Sequence, residues 1–552
     1  MKTTQILAFT ATILGFFMAL LDTTIVNIAL PDMISTFNTN ISDVSWVTNG
    51  YNLSFAIFLL TASRIADKYG RKKVFLFGII LFVVSSVLCG LSTDLNYLIL
   101  FRVIQGLGAA IIVPVSIPIA LEIFSKDQRG KIIGIWGAFS ALASASGPVL
   151  GGVLVNYLGW EYIFYVNVPL GILATILVII YLKESYGDNK NIKLDITGTI
   201  LFTLFISSLT YALIKGNDYG WLSASIIVLL SISLISIIIF LIREKRVNNP
   251  MIPLKIFKDR YFSMGNVTLF LIGVILNSIL FIFAFYLTKL VGYTVLKSGL
   301  ILSTLALATM VFSALSGPIV QKRGSLVISF IGLFILSVTS FIMTYLEFDS
   351  AIKYIILLLI ACGVGVGLCL APVMSSIVER GGQDYLGLVS GISNVGRTLG
   401  SIVGIAITVC ILNISMDTQI EQSKKEVTTH IENNSALNED VKNNMIEGLN
   451  NFNLDNQISK NNDEFIQSIN KVQANFNKTD IEYQALEIQK EEGLKEIAHA
   501  NNTFKSNFMK SFSYVFLAIC MISVIALITS LFSDKLRKEK GADTLKGTTA
   551  EG

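Results

Sequence analysis

The residues of this chain equipped for chemistry are few, and the most telling are charges in apolar surroundings. Leu21-Asp22-Thr23-Thr24-Ile25-Val26-Asn27 lies inside the first long apolar run, which begins at Ile6. A carboxylate at membrane depth costs roughly 2.5–3.5 kcal/mol on insertion scales, so a chain that keeps one must pair it, protonate it or wet it. Each outcome suits a site that trades a proton for something else. The alternative is structural: Asp22 caps a helix, or pairs with an arginine to fix packing. Arg102-Val103-Ile104-Gln105-Gly106, in the fourth apolar run, supplies such an arginine. Its guanidinium cannot lose its charge and needs an acid, carbonyls or water. The two histidines, His430 and His499, fall in a polar stretch, which leaves proton handling at depth to carboxylates.

Other chemistries find little support. The sequence has no G-x-x-x-x-G-K-[ST] phosphate loop, no spacing for a metal cluster and no plausible triad, so neither an enzyme nor an ATP-driven pump is expected, nor any cofactor or metal. Cys89, Cys362, Cys369, Cys410 and Cys520 all sit in apolar runs, which argues against a disulfide framework. Nucleic acid is not an expected partner.

These residues need apolar helices to hold them. Of 552 residues 53% are hydrophobic and only 14% charged, against about 25% charged in an ordinary soluble domain. The chain reads as an all-α membrane protein with fourteen apolar runs, from Ile6–Leu30 to Phe512–Phe532, each long enough to cross a bilayer at about 20 residues. The first run lacks an A-x-A site and carries Asp22, so it is expected to stay rather than be cleaved as a signal. Lysine and arginine concentrate in alternate connections, among them Arg64–Lys73, Lys126–Lys131 and Arg243–Arg260. The positive-inside rule then puts both termini in the cytoplasm of a cell-membrane protein.

The stretch Ser415–Lys510, with sixteen acids and ten lysines, would lie outside. Its apolar residues recur at helical spacing: Val441, Met445 and Leu449; Phe465, Ile469, Val472 and Phe476; Ile481, Ala485 and Ile488. Amphipathic helices and a solvated loop are about equally compatible with that pattern.

A faint repeat organises the rest. A shift of 257 residues lays Gly106, Gly108 and Gly147 on Gly363, Gly365 and Gly404, and a shift of 255 sets Asp22 opposite Asn277. Two similar six-helix halves are expected, with an extra helix pair, Ile196–Ile242, between them. Residues 1–184 form the first lobe, 185–246 the linker with two extra spans, and 247–414 the first five helices of the second lobe. Residues 415–510 are an extracellular insertion, and 511–552 the last span and a cytoplasmic tail. Parallel repeats of this kind place a substrate site between the halves near the midplane.

Two further motifs join Asp22 and Arg102. The turn Asp67-Lys68-Tyr69-Gly70-Arg71 can latch helices at one end of the bundle, and Gln321-Lys322-Arg323-Gly324 echoes it in the second half. Ser146-Gly147-Pro148-Val149-Leu150-Gly151-Gly152 combines a smooth packing face with a proline that frees a carbonyl. Taken together and in this order, followed by Trp160–Gly171, these motifs resemble the fourteen-helix drug/proton antiporter branch of the major facilitator superfamily. The resemblance covers nearly all the chain outside Ser415–Lys510. It implies two six-helix bundles plus two extra central helices, alternating access, and export driven by a proton gradient. By that likeness Asp22 and Arg102 match the coupling acid and the buried base. Asp67, Gly70 and Arg71 match the gating loop, and Gly147, Pro148, Gly151 and Gly152 the antiporter motif. Ser63, Ala143 and Glu161 depart from the usual pattern.

The second half has no carboxylate inside its helices from Phe262 to Leu412, offering Asn394 and Arg397 instead. The expected substrate cavity comprises Asp22, Asn27, Gln105, Asn277, Asn394 and Arg397. One central acid suits exchange of a proton for a lipophilic monocation, or for a neutral or zwitterionic amphiphile. Phe16, Phe17, Phe281, Phe283 and Phe285 are candidate greasy liners. An anionic amphiphile such as a fatty acid or lipid, received by Arg102 and Arg397, is the nearest rival. A membrane sensor or scaffold without transport is the more distant one.

Overall fold

Helix starts in this chain are written in its capping residues. Asn40, Asp94, Asp195, Ser223, Asp259 and Thr294 each turn a side-chain oxygen onto a backbone N–H in the first turn of the helix that follows. The computed structural model describes residues 3–124, 129–186, 195–247, 250–252, 254–381, 386–450 and 481–533. The first set of helices is α1 (Thr3–Ile25), α2 (Leu30–Phe37), α3 (Ile41–Tyr69), α4 (Arg71–Gly90), α5 (Leu95–Ile123), α6 (Arg129–Tyr157), α7 (Tyr162–Tyr165) and α8 (Asn167–Tyr181). The pair α9 (Ile196–Tyr219) and α10 (Ala224–Glu244) follows. The second set is α11 (Arg260–Phe285), α12 (Val295–Arg323), α13 (Ser325–Met343), α14 (Ile352–Gly381), α15 (Leu386–Asn433), α16 (Glu439–Asn450) and α17 (Ile481–Ser530).

Every one of the fourteen apolar runs falls on helix. Among the described residues, twelve helices are long and apolar enough to cross a membrane by length and composition. The runs in α3, which carries Asp43, Arg64, Asp67 and Lys68, and in α6 stand outside those twelve. The all-α membrane class holds. Ile172, Leu173, Ile176, Ile179 and Ile180 of α8 are exposed, as is most of the apolar face of α10. A water-soluble monomer rarely shows so broad an apolar surface.

The chain divides into two compact units. The larger comprises Met1–Thr344, Ala351–Cys410 and Phe516–Gly552. Within it the glycines matched by the 257-residue shift make equivalent contacts. A methyl at Gly106 of α5 would strike the Tyr51 carbonyl of α3, and one at Gly363 of α14 the Leu305 carbonyl of α12. Gly108 lies on Phe82 of α4, and Gly365 on Gly332 and Leu336 of α13. Gly147 of α6 fits against Thr24 of α1, and Gly404 of α15 against Val274 of α11. The turns match too: Gly70 and Gly324 take φ of 109° and 84°, which a side chain would resist. The repeat is real in three dimensions, as two bundles with one plan.

The pair α9 and α10 is held by Arg243 Nη2 to Asp195 Oδ1 at 2.6 Å and by Phe202 against Phe240 at 5.6 Å. It attaches to the first bundle through Thr61–Thr199, Trp46–Tyr211 and Lys215 Nζ to Asp43 at 2.6 Å. The two bundles close on each other at one end. There Gly299 and Leu296 of α12 fit against Pro148 and Gly152 of α6, and Lys289 Nζ donates to Ser35 Oγ at 2.7 Å.

The smaller unit comprises Tyr345–Ser350 and Ile411–Val515. Its core is an antiparallel helix pair, with Ser415 Oγ 3.0 Å from Ser511 Oγ and Asn507 Nδ2 donating to Ser423 Oγ at 3.0 Å. Further along, Glu496, 3% exposed, accepts from Asn434 at 2.7 Å and pairs with His430 Nδ1 at 2.7 Å. The two histidine rings stack with centroids 4.0 Å apart. The helical reading of this stretch therefore prevails over the solvated loop for Glu439–Asn450 and from Ile481 onward. Phe465, Ile469, Val472 and Phe476 lie outside the described residues.

Candidate functional site

Asp22 sits on α1, three residues short of the helix end, and is 0% exposed. Arg102 of α5, also 0% exposed, meets its Oδ2 through Nη1. The other oxygen accepts from Gln105 Nε2 and from Asn167 Nδ2, each at 3.2 Å. The guanidinium has further ligands of its own. Its Nε donates to the Val47 carbonyl at 2.9 Å and its Nη1 to Gln105 Oε1 at 2.7 Å, while its carbon lies 4.2 Å from the centre of the Tyr51 ring. Ser86 Oγ accepts from both Gln105 and Asn167, at 3.0 and 3.1 Å, and donates to the Phe164 carbonyl. Six helices, α1, α3, α4, α5, α7 and α8, thus contribute to one dry polar knot in the first bundle.

Asp22, Arg102 and Gln105 come together, the ion pair being the one the packing alternative expects, while Asp22 and Gln105, expected to line a cavity, are both 0% exposed. Asn27 does not join them: it is 3% exposed, its amide nitrogen reaches back to the Thr23 carbonyl at 3.4 Å, and its Oδ1 is buried unpaired among the described residues. The reading missed Asn167, Ser86 and Tyr51. Asn167, an amide at the start of an apolar helix, was the one visible signal; a serine or tyrosine in a membrane helix gives none. In this conformation the carboxylate touches no open space, so access to Asp22 requires the helices around it to move.

The other residues expected to line the cavity, Asn277, Asn394 and Arg397, lie on the second bundle. Asn277 of α11 donates to Ser401 Oγ of α15 at 2.6 Å, and Ser401 donates to the Arg397 carbonyl at 3.2 Å. Asn277, Asn394 and Arg397 are each half-buried. The backbones come this close because Gly273 lies on the Arg397 carbonyl and Gly400 on that of Phe270. Phe281, Phe283 and Phe285 line no cavity. All are at most 1% exposed, with Phe281 against Phe285 at 5.0 Å and Phe283 against Phe516 at 5.3 Å. Phe16 packs on Trp136 at 4.8 Å.

The turn motif builds a latch. Arg71 Nε donates to Asp67 Oδ1 at 2.8 Å, and Arg71 also pairs with Glu122 at the end of α5. Glu184, after α8, accepts from the Lys72 N–H at 2.9 Å and fills the space a Cβ on Gly70 would need. All these partners belong to the first bundle. In the Gly147–Gly152 stretch, Gly147 and Gly151 seat α6 on Thr24, Ile25 and Ile28, while Pro148 and Gly152 meet α12. One helix face thus serves packing within a bundle and closure between bundles.

Comparison with known proteins agrees with this architecture. Residues 12–405 match the family described as Major Facilitator Superfamily. The chain is similar to the multidrug resistance protein Stp of Mycobacterium tuberculosis (strain CDC 1551 / Oshkosh), 33% identical over 76% of this chain and 78% of that protein. It is similar to the methylenomycin A resistance protein of Bacillus subtilis (strain 168), 31% identical over 73% and 86% of the two chains. With the tetracenomycin C resistance and export protein of Streptomyces glaucescens it shares 30% identity over 72% and 74%. In fold it is similar to an inward-facing, unoccupied bacterial homologue of the human lysosomal transporter Spinster, with TM-score 0.59 and 14% identity over 98% of this chain and all of that one. A D-xylose-proton symporter gives TM-score 0.54 and 14% identity over 74% and 90%. The chain therefore belongs to the Major Facilitator Superfamily, as a multi-pass membrane transporter of small molecules and not an enzyme.

Proposed function

We propose that this transporter is a proton-coupled efflux antiporter for lipophilic amphiphiles, monocationic, neutral or zwitterionic, working by alternating access in the cell membrane. The observation that carries the reading is the Asp22 knot. Arg102, Gln105 and Asn167 all address the carboxylate in its charged form. A proton on Asp22 removes the counter-charge, while Arg102 keeps Val47, Gln105 and the Tyr51 ring. The two protonation states thus favour different packings of α1, and a ligand shifts such a balance only by its differential affinity for the two.

A contiguous path links the knot to the closure. Asp22 lies on α1, whose Thr24 and Ile25 seat Gly147 and Gly151 of α6, and the same helix meets Gly299 of α12 through Pro148. Contiguity is support, and a demonstrated shift in the closure would be the proof of coupling. Counting α3 and α6 as crossings beside the twelve apolar ones gives an even number, which with the alternation of basic connections supports cytoplasmic termini. On that orientation the closed end at Lys289 and Gly299 faces outward, and the opposite, cytoplasmic end is the side from which an exporter collects its cargo. The apolar belt on α8 and α10 faces lipid. The relatives named for multidrug and antibiotic resistance support export as the direction.

The test is efflux from proteoliposomes under an imposed pH gradient. Wild type should accumulate a fluorescent amphiphile against its gradient, and Asp22→Asn should lose that accumulation while retaining downhill exchange. Undiminished gradient-driven accumulation by Asp22→Asn would leave the acid a packing brace.

A further inference from the structure

The two deep arginines are treated very differently. Arg102 is sealed, with a carboxylate, a carbonyl, an amide oxygen and an aromatic ring around its guanidinium. Arg397 lies eleven residues into α15, about 16 Å from its start at 1.5 Å per residue, which is close to the middle of a 30 Å hydrocarbon layer. Among the described residues no carboxylate and no hydrogen-bond acceptor meets its guanidinium.

Its surroundings show which way it faces. Between Gly391 and Leu412 no residue of α15 is exposed, so the helix runs inside the bundle. The half-buried positions fall on two stripes. Leu399, Val403 and Ile407 are apolar, whereas Asn394 and Arg397 are polar and continue into Ser401, which holds Asn277 of α11. An arginine there keeps its charge whatever the surroundings, and an uncompensated one at this depth is costly. The apolar runs of α11 to α15 between Phe262 and Leu412 carry no acid to supply the counter-charge.

We propose that Arg397 is the headgroup subsite of the cavity: it receives an oxyanion, a carboxylate or a group of like geometry, on one end of the transported amphiphile. A planar guanidinium offers two parallel N–H donors to the two oxygens of such a group, a match that an ammonium or an ester lacks. The inference deepens the efflux reading and rests on it for the word "transported". Of the amphiphiles that reading admits it favours zwitterions over pure monocations, whose charge Arg397 repels.

The experiment is equilibrium binding to the full-length protein in nanodiscs, without any proton gradient. The probes are dansyl-undecanoate, its methyl ester and the lipophilic cation ethidium, each followed by fluorescence change. Wild type should bind the carboxylate roughly 10–100-fold more tightly than the ester. Arg397→Gln should erase that preference and leave the ester unchanged, ethidium binding should hold or improve, and Arg397→Lys should keep part of the preference. Equal affinity of wild type for acid and ester would overturn the proposal, as would an equal loss of all three probes in Arg397→Gln. Should that variant not fold, the wild-type comparison of acid with ester and the Arg397→Lys variant still decide. Because binding is read alone, loss of coupled efflux with intact acid preference would sink the antiport reading and spare this one.

Discussion

Gly299 of α12 and the carbonyl of Pro148 on α6 approach so closely that a methyl group on residue 299 would collide with the oxygen. Here the two bundles meet at one end of the larger unit. Proline at 148 leaves its α6 neighbour's carbonyl without the usual helical N–H donor, and glycine at 299 gives the backbones room. Gly152 repeats the arrangement one turn on, against Leu296.

Overfilling that contact should hold the end open. Gly299→Val adds atoms where the partner is backbone and cannot swing aside, a cost of about 1–3 kcal/mol borne only by the closed state. The open population should rise roughly 5–150-fold. Spin labels on Thr36 and Lys297, both exposed at this end, should report a longer distance in the variant. An unchanged distance distribution would mean the contact does not limit closure.

The Asp22–Arg102 pair should be worth more broken than replaced. Removing one partner strands a buried charge, so Asp22→Ala should destabilise the protein by about 3–5 kcal/mol. Replacing Arg102 by methionine in the same chain should recover part of the loss. Thermal unfolding of the single and double variants measures both, and additive losses would contradict the pairing.

The sequence carried most of this architecture, for reasons that can be named. Hydropathy marks spans because a membrane helix must satisfy its own backbone. The glycine repeat was legible because close helix contacts admit nothing larger, as Gly106 and Gly363 show against their carbonyls. Asp22 and Arg102 stood out because charge at depth is rare. Their partners Ser86, Tyr51 and Asn167 did not, since a hydroxyl or amide in a membrane helix normally satisfies itself on its own backbone. The latch partners Glu122 and Glu184 were also missed, being distant in sequence and ordinary in type. Phe281, Phe283 and Phe285 pack on neighbouring rings, as most of the candidate aromatics are expected to, because composition does not say which helix face is inside.

Closure at the Lys289 end should depend on pH. Burial holds the Asp32 carboxyl on α2 above its ordinary 3.8, Lys289 opposing the shift and Glu161 adding to it. The carboxyl therefore binds its proton more tightly in the closed form than in water. That stabilisation is full below the ordinary value and is lost as pH rises through the raised one. The same Thr36–Lys297 distance should lengthen on raising pH through this window, and Asp32→Asn should flatten the response. A pH response unaltered by Asp32→Asn would assign it elsewhere.

Asp195 should behave in the opposite sense. Burial pushes its carboxyl up, but the Gly198 N–H, Arg243 and Glu244 outweigh burial and hold it below 3.8. Its contribution is present above the ordinary carboxylate value and is lost as pH falls through the lowered one. Asp195→Ala removes the cap of α9 and the partner of Arg243, at about 0.5–2 kcal/mol for the cap alone. Thermal unfolding near neutral pH should show the loss, and the gap from wild type should narrow in strong acid.

The most direct measurement is proton release when substrate binds to the purified protein in a weakly buffered indicator solution. Binding of the fluorescent amphiphile to wild type should expel a proton, and binding to Asp22→Asn should expel none. Equal proton release from both proteins would contradict the account at its centre.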